Sequence, residues 1–211
     1  MIPRVPFRKW SDLQRQADQV LSVYHPTLEI PVPIEEIIES GFRLEIIPVR
    51  GYRQGTGVEG GLSADLTNIT VDEWVMQSRE NRYRFTLAHE LAHLILHREQ
   101  IEALKPDDTA DWKALIQSVA PKDYSMMEFQ ANALAGLILV PTEHLLQEYQ
   151  SASARARARG IDLAELSDFG LEHVAEWTAE AFKVSGQVVS IRLKHALRPE
   201  NDSTPAGDGT D

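Results

Sequence analysis

Apolar residues recur at helical spacing from the start of the chain. Trp10, Leu13, Ala17, Val20, Leu21 and Tyr24 fall on one face, predicting an amphipathic helix over 7–24 that His25-Pro26 ends. Residues 33–41 predict a short helix. Pro33 suits its first turn, Glu35 and Glu36 favour the positive end of its dipole, and Gly41 suits a left-handed stop. The pattern then switches to alternation over 42–49, a strand. Residues 51–61 hold five glycines and no apolar repeat, which predicts a mobile loop. The segment has neither the Gly-Lys-Ser/Thr ending nor the following helix of a phosphate-binding loop. Leu62, Leu66 and Ile69-Thr70-Val71 predict one or two short strands.

From residue 83 onward the chain reads as helix after helix. The spacing predicts helices over 83–97, 107–120 and 125–140, the last ended by Pro141. Thr142 is placed to cap a helix that runs to Arg159, with Gly160 beyond it. Residues 162–198 read as helical with a turn near Val184-Ser185-Gly186, where Ser185 would cap the final helix. The tail from Pro199 to Asp211 has no apolar anchor and is expected to be disordered. The fold class is therefore α+β, mostly helical with a small β-sheet.

Composition narrows the chemistry. There is no cysteine, so disulfides and thiol catalysis are excluded, and any zinc must be held by His, Asp or Glu. The N-terminus has no apolar h-region, no signal peptide is read, and a cytoplasmic protein is expected. The longest apolar run, Ala133 to Val140, is too short to span a bilayer. A net charge of −11 gains nothing from a phosphate backbone, so direct nucleic-acid binding is disfavoured.

The chemistry concentrates at His89-Glu90-Leu91-Ala92-His93. Side chains four apart share one helix face, so His89 and His93 can bind one metal ion. Glu90, one step around, can reach a water in the ion's open position and serve as general base. The plainer reading is a surface helix that carries the pattern by accident. That accident is expected in about 2% of chains of this composition, and the flanks, Phe85 to Ala88 and Leu94 to Leu96, are apolar on nearly every side. Such a helix is buried, and two histidines and a glutamate buried without partners would be costly.

A catalytic site needs a third protein ligand. His97 lies one turn beyond His93, but a stack from His89 to His97 spans about 12 Å, too far for one ion. His97 is therefore read as an outer or structural residue. Glu128 opens a helix with Asn132 on its own face, and Asn132 could bond the far nitrogen of a ligating histidine. Helix geometry only permits this role, since a solvated acid near a helix N-terminus is the more ordinary reading of such a residue.

Phe85-Thr86-Leu87-Ala88-His89-Glu90-Leu91-Ala92-His93-Leu94-Ile95-Leu96-His97 resembles the F-T-L-A-H-E-L-G-H-x-x-L-H signature of ImmA/IrrE-type metallopeptidases. Glu128 to Ala135, followed by Leu137 to Pro141, is similar to that family's E-x-x-A-N-x-F-A-x-x-L-L-M-P segment. Ala92, Leu134 and Val140 depart from the usual Gly, Phe and Met and leave the polar positions untouched. The resemblance covers about residues 30–145. It implies a zincin-like domain with a thermolysin-like site, Zn²⁺ held by His89, His93 and Glu128, Glu90 as base and Asn132 behind a ligand. It also implies an intracellular endopeptidase that cuts a helix-turn-helix repressor, in phage, mobile-element or stress-response circuits.

The expected organisation is a metallopeptidase domain over 1–145, a C-terminal helical module of helix-turn-helix cadence over 146–198, and a tail over 199–211. Phe182, Val184, Val188, Ile191 and Leu193 suit a structural helix pair that packs on the peptidase or docks a partner, and an acidic chain favours that over DNA reading. Tyr83 and Tyr124 are candidate oxyanion donors, and the Ile69–Val71 strand a candidate edge for an extended substrate. The competing function is a non-catalytic, metal-dependent sensor or antirepressor. It has no need of Glu90.

Overall fold

A computed structural model describes residues 4–104, 120–160 and 168–197. The expected tail over 199–211, and the helix expected over 107–120 except its last position, lie outside them. Helix α1 (Trp10–Tyr24) is followed by α2 (Ile34–Glu36), which continues as a π-turn through Ile37–Gly41. Strand β1 (Glu45–Val49), α3 (Tyr52–Thr56), β2 (Gly60–Leu62) and β3 (Asn68–Asp72) complete the β-rich part. Then come α4 (Glu73–Ser78), α5 (Glu80–Leu104), α6 (Pro121–Leu139), α7 (Thr142–Arg157), α8 (Asp168–Phe182) and α9 (Gly186–Leu197). The chain is mostly helical with one three-stranded mixed sheet. No helix among the described residues is long and apolar enough to cross a membrane.

The sheet order is β1-β3-β2, with β1 parallel and β2 antiparallel to β3. Strand β3 is therefore central and both its edges are taken. This corrects the expectation that Ile69–Val71 offers an edge to a substrate. Its alternation puts Ile69 and Val71 at 0% exposure, against the core. The unpaired edge nearer α5 belongs to β2, whose Gly60 and Gly61 fall in the stretch read as a mobile loop and whose Leu62 falls in the segment expected to hold one or two short strands. Long-range contacts order that stretch. Asp72 caps α4 by accepting from Trp74 and Val75 N–H, and its other oxygen accepts from Arg53 N–H at 2.9 Å. Glu59 pairs with Arg82 of α5.

The core is continuous from α1 to α9. Leu87 and Leu91 of α5, Leu134 and Leu137 of α6 and Phe182 at the end of α8 are all fully buried, and each such side chain contributes roughly 1.5–3 kcal/mol. Gly41 serves packing rather than a left-handed stop. Its φ is not positive, Arg43 takes the left-handed conformation, and a Cβ on Gly41 would lie 2.7 Å from the Tyr24 ring.

Arg192 joins α9 to the end of α6. Its guanidinium donates to the Val140 carbonyl at 3.2 and 3.3 Å and to the Thr142 hydroxyl at 2.7 Å. Burial lowers its pKa to about 10, which leaves it charged at neutral pH. A cation suits the negative end of a helix. The Thr142 hydroxyl is thereby engaged by Arg192 and donates to Gln14, and Pro141 rather than Thr142 holds the N-cap position of α7. Ser185 does cap the final helix, weakly, by accepting from Val188 N–H at 3.4 Å.

Candidate metal centre

Helices α5 and α6 pack together and turn their polar residues to one spot. His89 Nε2 and His93 Nε2 are 3.0 Å apart. Glu128 Oε2 lies 3.5 Å from His89 Nε2, and Glu128 Oε1 lies 3.3 Å from His93 Nε2. Ligand atoms about 2.0–2.2 Å from a tetrahedral ion are about 3.3 Å from one another, and the histidine nitrogens stand at that order of spacing from each other and from one carboxylate oxygen each, Oε2 for His89 and Oε1 for His93. Two imidazole nitrogens and a carboxylate oxygen also form a chemically suitable donor set. The residues present fit a divalent metal. His93 and His97 are buried, His89 is mostly so, and Glu128 is the wettest of the three at 34% side-chain exposure.

The electrostatics suit ligation. Burial lowers the His89 pKa, reinforced by His93, so its ring is neutral and able to ligate at neutral pH. Its Nδ1 is 3.1 Å from Asn132 Oδ1. That contact puts the proton on Nδ1 and the lone pair on Nε2, the outer-partner arrangement expected for Asn132. Burial pushes the Glu128 carboxyl up, but His93, His89 and His97 outweigh it and hold its pKa below the ordinary value. His97 is no ligand. Its Nδ1 is 3.1 Å from His93 Nδ1, on the side away from Glu128, and α5 departs from helical dihedrals at His97 itself.

Glu90 is held from the sheet side. Leu62 N–H donates to Glu90 Oε2 at 3.0 Å. Along β2, the backbone of Glu59 and Ser63 bonds β3 at 2.8 and 2.9 Å, so Gly60 and Leu62 face the other way. Gly60 permits this close approach. A Cβ there would stand 2.4 Å from the Thr86 methyl and 3.2 Å from the Thr70 carbonyl. Gly60→Ala is accordingly expected to destabilise the fold by about 1–3 kcal/mol and to loosen the Leu62–Glu90 contact. Urea unfolding of the two proteins measures the first effect.

The two tyrosines part ways. Tyr83 donates to Glu35 Oε1 at 2.5 Å and is buried, which removes it as an oxyanion donor. Tyr124 feels the charges of Glu128 and Glu90, and burial together with those charges raises its pKa. Sequence reasoning missed Tyr52. Its pKa is raised by burial and by Glu90, and its hydroxyl lies over Gly61, where a Cβ would meet it at 2.7 Å. Its only sequence signal was an aromatic in a glycine-rich stretch. A cavity of about 700 Å³ adjoins the site, lined by Phe85 of α5, Phe129 and Asn132 of α6 and Val188, Ile191 and Arg192 of α9. Phe129 is 47% exposed and forms part of that wall.

A peptidase family model described as the IrrE N-terminal-like domain matches residues 76–194, which carry α5, α6 and the C-terminal helices. No curated protein matches the chain. Among solved structures, a Mycobacterium tuberculosis transcriptional regulator superposes with a TM-score of 0.54 at 16% identity, covering 92% of this chain and 50% of that one. At that identity the likeness is one of fold, and the chain spans about half the length of that solved relative.

Proposed function

The chain belongs to the IrrE N-terminal-like (ImmA/IrrE) family of metallopeptidase-type domains, and from that premise we propose that it is a cytoplasmic zinc endopeptidase that hydrolyses one peptide bond in a regulatory protein, a helix-turn-helix repressor being the expected substrate. The observation that carries this reading is the triangle of His89, His93 and Glu128 ligand atoms, all within 4.8 Å of one another, with the Glu90 carboxylate beside it. When bound, zinc would acidify a water and polarise a peptide carbonyl. Glu90 accepts the proton of the attacking water and returns it to the leaving amine. Leu62 N–H keeps the Glu90 carboxylate aimed while it waits.

The edge of β2 that faces away from β3 is the natural rail for an extended substrate. Tyr124 is the oxyanion donor this reading favours, because it lies within reach of the charges of Glu128 and Glu90 whereas the Tyr83 hydroxyl is engaged by Glu35. Tyr124→Phe should therefore lower kcat by up to about 10²–10³-fold with a much smaller change in KM, in steady-state assays of a cleavable peptide.

The reading is tested by mixing the zinc-loaded chain with a helix-turn-helix repressor encoded beside it. Site-specific cleavage that a chelator stops and added zinc restores is the expected result. Stoichiometric binding with the repressor left whole would overturn the peptidase reading in favour of a metal-dependent antirepressor.

A further inference from the structure

The metal-facing nitrogen of His93 stands at one end of a run of polar groups that leads out of the site to the N-terminal arm. His93 Nδ1 is 3.1 Å from His97 Nδ1, His97 Nε2 is 3.1 Å from Gln130 Oε1, and Gln130 Nε2 donates to the Pro6 carbonyl at 2.8 Å. His97 and Gln130 are both at 0% exposure, so bulk solvent does not reach them.

The far end decides the rest. A backbone carbonyl only accepts, so the Gln130 amide must turn its NH₂ to Pro6 and its oxygen to His97. An oxygen at that position requires the proton on His97 Nε2. The 3.1 Å contact between the two Nδ1 atoms needs one donor and one acceptor, and a ring with its proton on Nε2 offers the acceptor lone pair at Nδ1. His93 must meet that lone pair with a proton on its own Nδ1. The lone pair of His93 is thereby left on Nε2, the atom facing His89 and Glu128. The opposite order would need a proton on Gln130 Oε1 or a donor at Pro6, and neither exists. His89 is set by the single contact to Asn132, whereas His93 is set by three groups in series.

We propose that Gln130 and His97 are positioning residues, a tautomer-setting relay anchored on the Pro6 carbonyl that holds His93 in its metal-binding form. The inference rests on the reading of His89, His93 and Glu128 as a metal site. It assigns a task to the N-terminal arm, which binds the peptidase helices a second time where Gln100 donates to the Arg4 carbonyl.

The test pairs two measurements on the full chain. Long-range ¹H–¹⁵N correlation spectra of the metal-free protein at neutral pH should show the Nε2–H tautomer for His97 and the Nδ1–H tautomer for His93. Chelator competition should show zinc affinity falling about 10–100-fold in Gln130→Met and His97→Leu. His97→Asn returns an acceptor near the old Nδ1 and should recover most of the loss. The thermal midpoint of each metal-free variant separates weakened binding from lost folding. An Nδ1–H tautomer at His97 in the wild-type protein would overturn the relay, as would wild-type zinc affinity in a folded Gln130→Met. Wild-type protein that binds no zinc would instead overturn the metal-site reading, with the tautomer spectrum still deciding the relay.

Discussion

Replacing Glu90 by glutamine is expected to slow peptide-bond hydrolysis by about 10²–10⁴-fold, the range lost with a positioned general base, while zinc binding stays near the wild-type level. The amide has the same shape and can be held by the same strand, but its oxygen is too weakly basic to take a proton from water. Leu62 N–H donates to Oε2 and can donate as well to the amide oxygen, so the geometry should survive the change. Glu90 is not one of the three clustered ligand atoms, which is why affinity and rate should separate. Single-turnover cleavage of the repressor, read beside metal content, makes the measurement. Cleavage at the wild-type rate would remove Glu90 from the mechanism.

Glu128→Ala is expected to act on the other quantity. Glu128 reaches both histidines, at 3.3 and 3.5 Å, and its lowered pKa keeps it anionic at neutral pH. Without it two neutral imidazoles remain, a set that does not hold catalytic zinc. Affinity should fall by more than the roughly 100-fold that an outer partner costs, and hydrolysis should vanish with it. The loss is also visible without a substrate. Zinc at about 1,000 times its Kd stabilises a folded protein by about 4 kcal/mol, and Glu128→Ala should forfeit most of that shift at the same zinc concentration. A variant whose thermal midpoint still climbs with zinc as the wild type does would exclude Glu128 as a ligand.

The legibility of the site in the sequence follows the range of the interactions that make it. His89, Glu90 and His93 sit within one turn of one helix, so spacing alone puts them together. Glu128 is on another helix, and only the resemblance to a family's second motif raised it above an ordinary helix-end acid. Tyr83 could have been set aside earlier, because six residues before His89 is a different helix face, whereas Phe85, four before, lines the adjoining cavity. Of β2 only Leu62 was legible as strand, because nothing local orders the two glycines before it. The strand's anchors are the Asp72 carboxylate, the Arg82 side chain and the tight seat of Gly60 on α5. A glycine-rich segment looks mobile when its partners lie tens of residues away. The relay was hidden for the same reason, with His97 legible as buried but Gln130 and Pro6 beyond the reach of periodicity.

The brevity of β2 has a consequence for how the protein behaves in a crowded solution. Three residues span about 10 Å, and one of the outward N–H groups, that of Leu62, is already taken by Glu90. Exposed strand edges invite pairing between copies and the growth of aggregates, and short, partly covered edges resist it. A rail this short cannot template a second chain of its own kind, so the edge nearest the site stays open without becoming a seam for self-association.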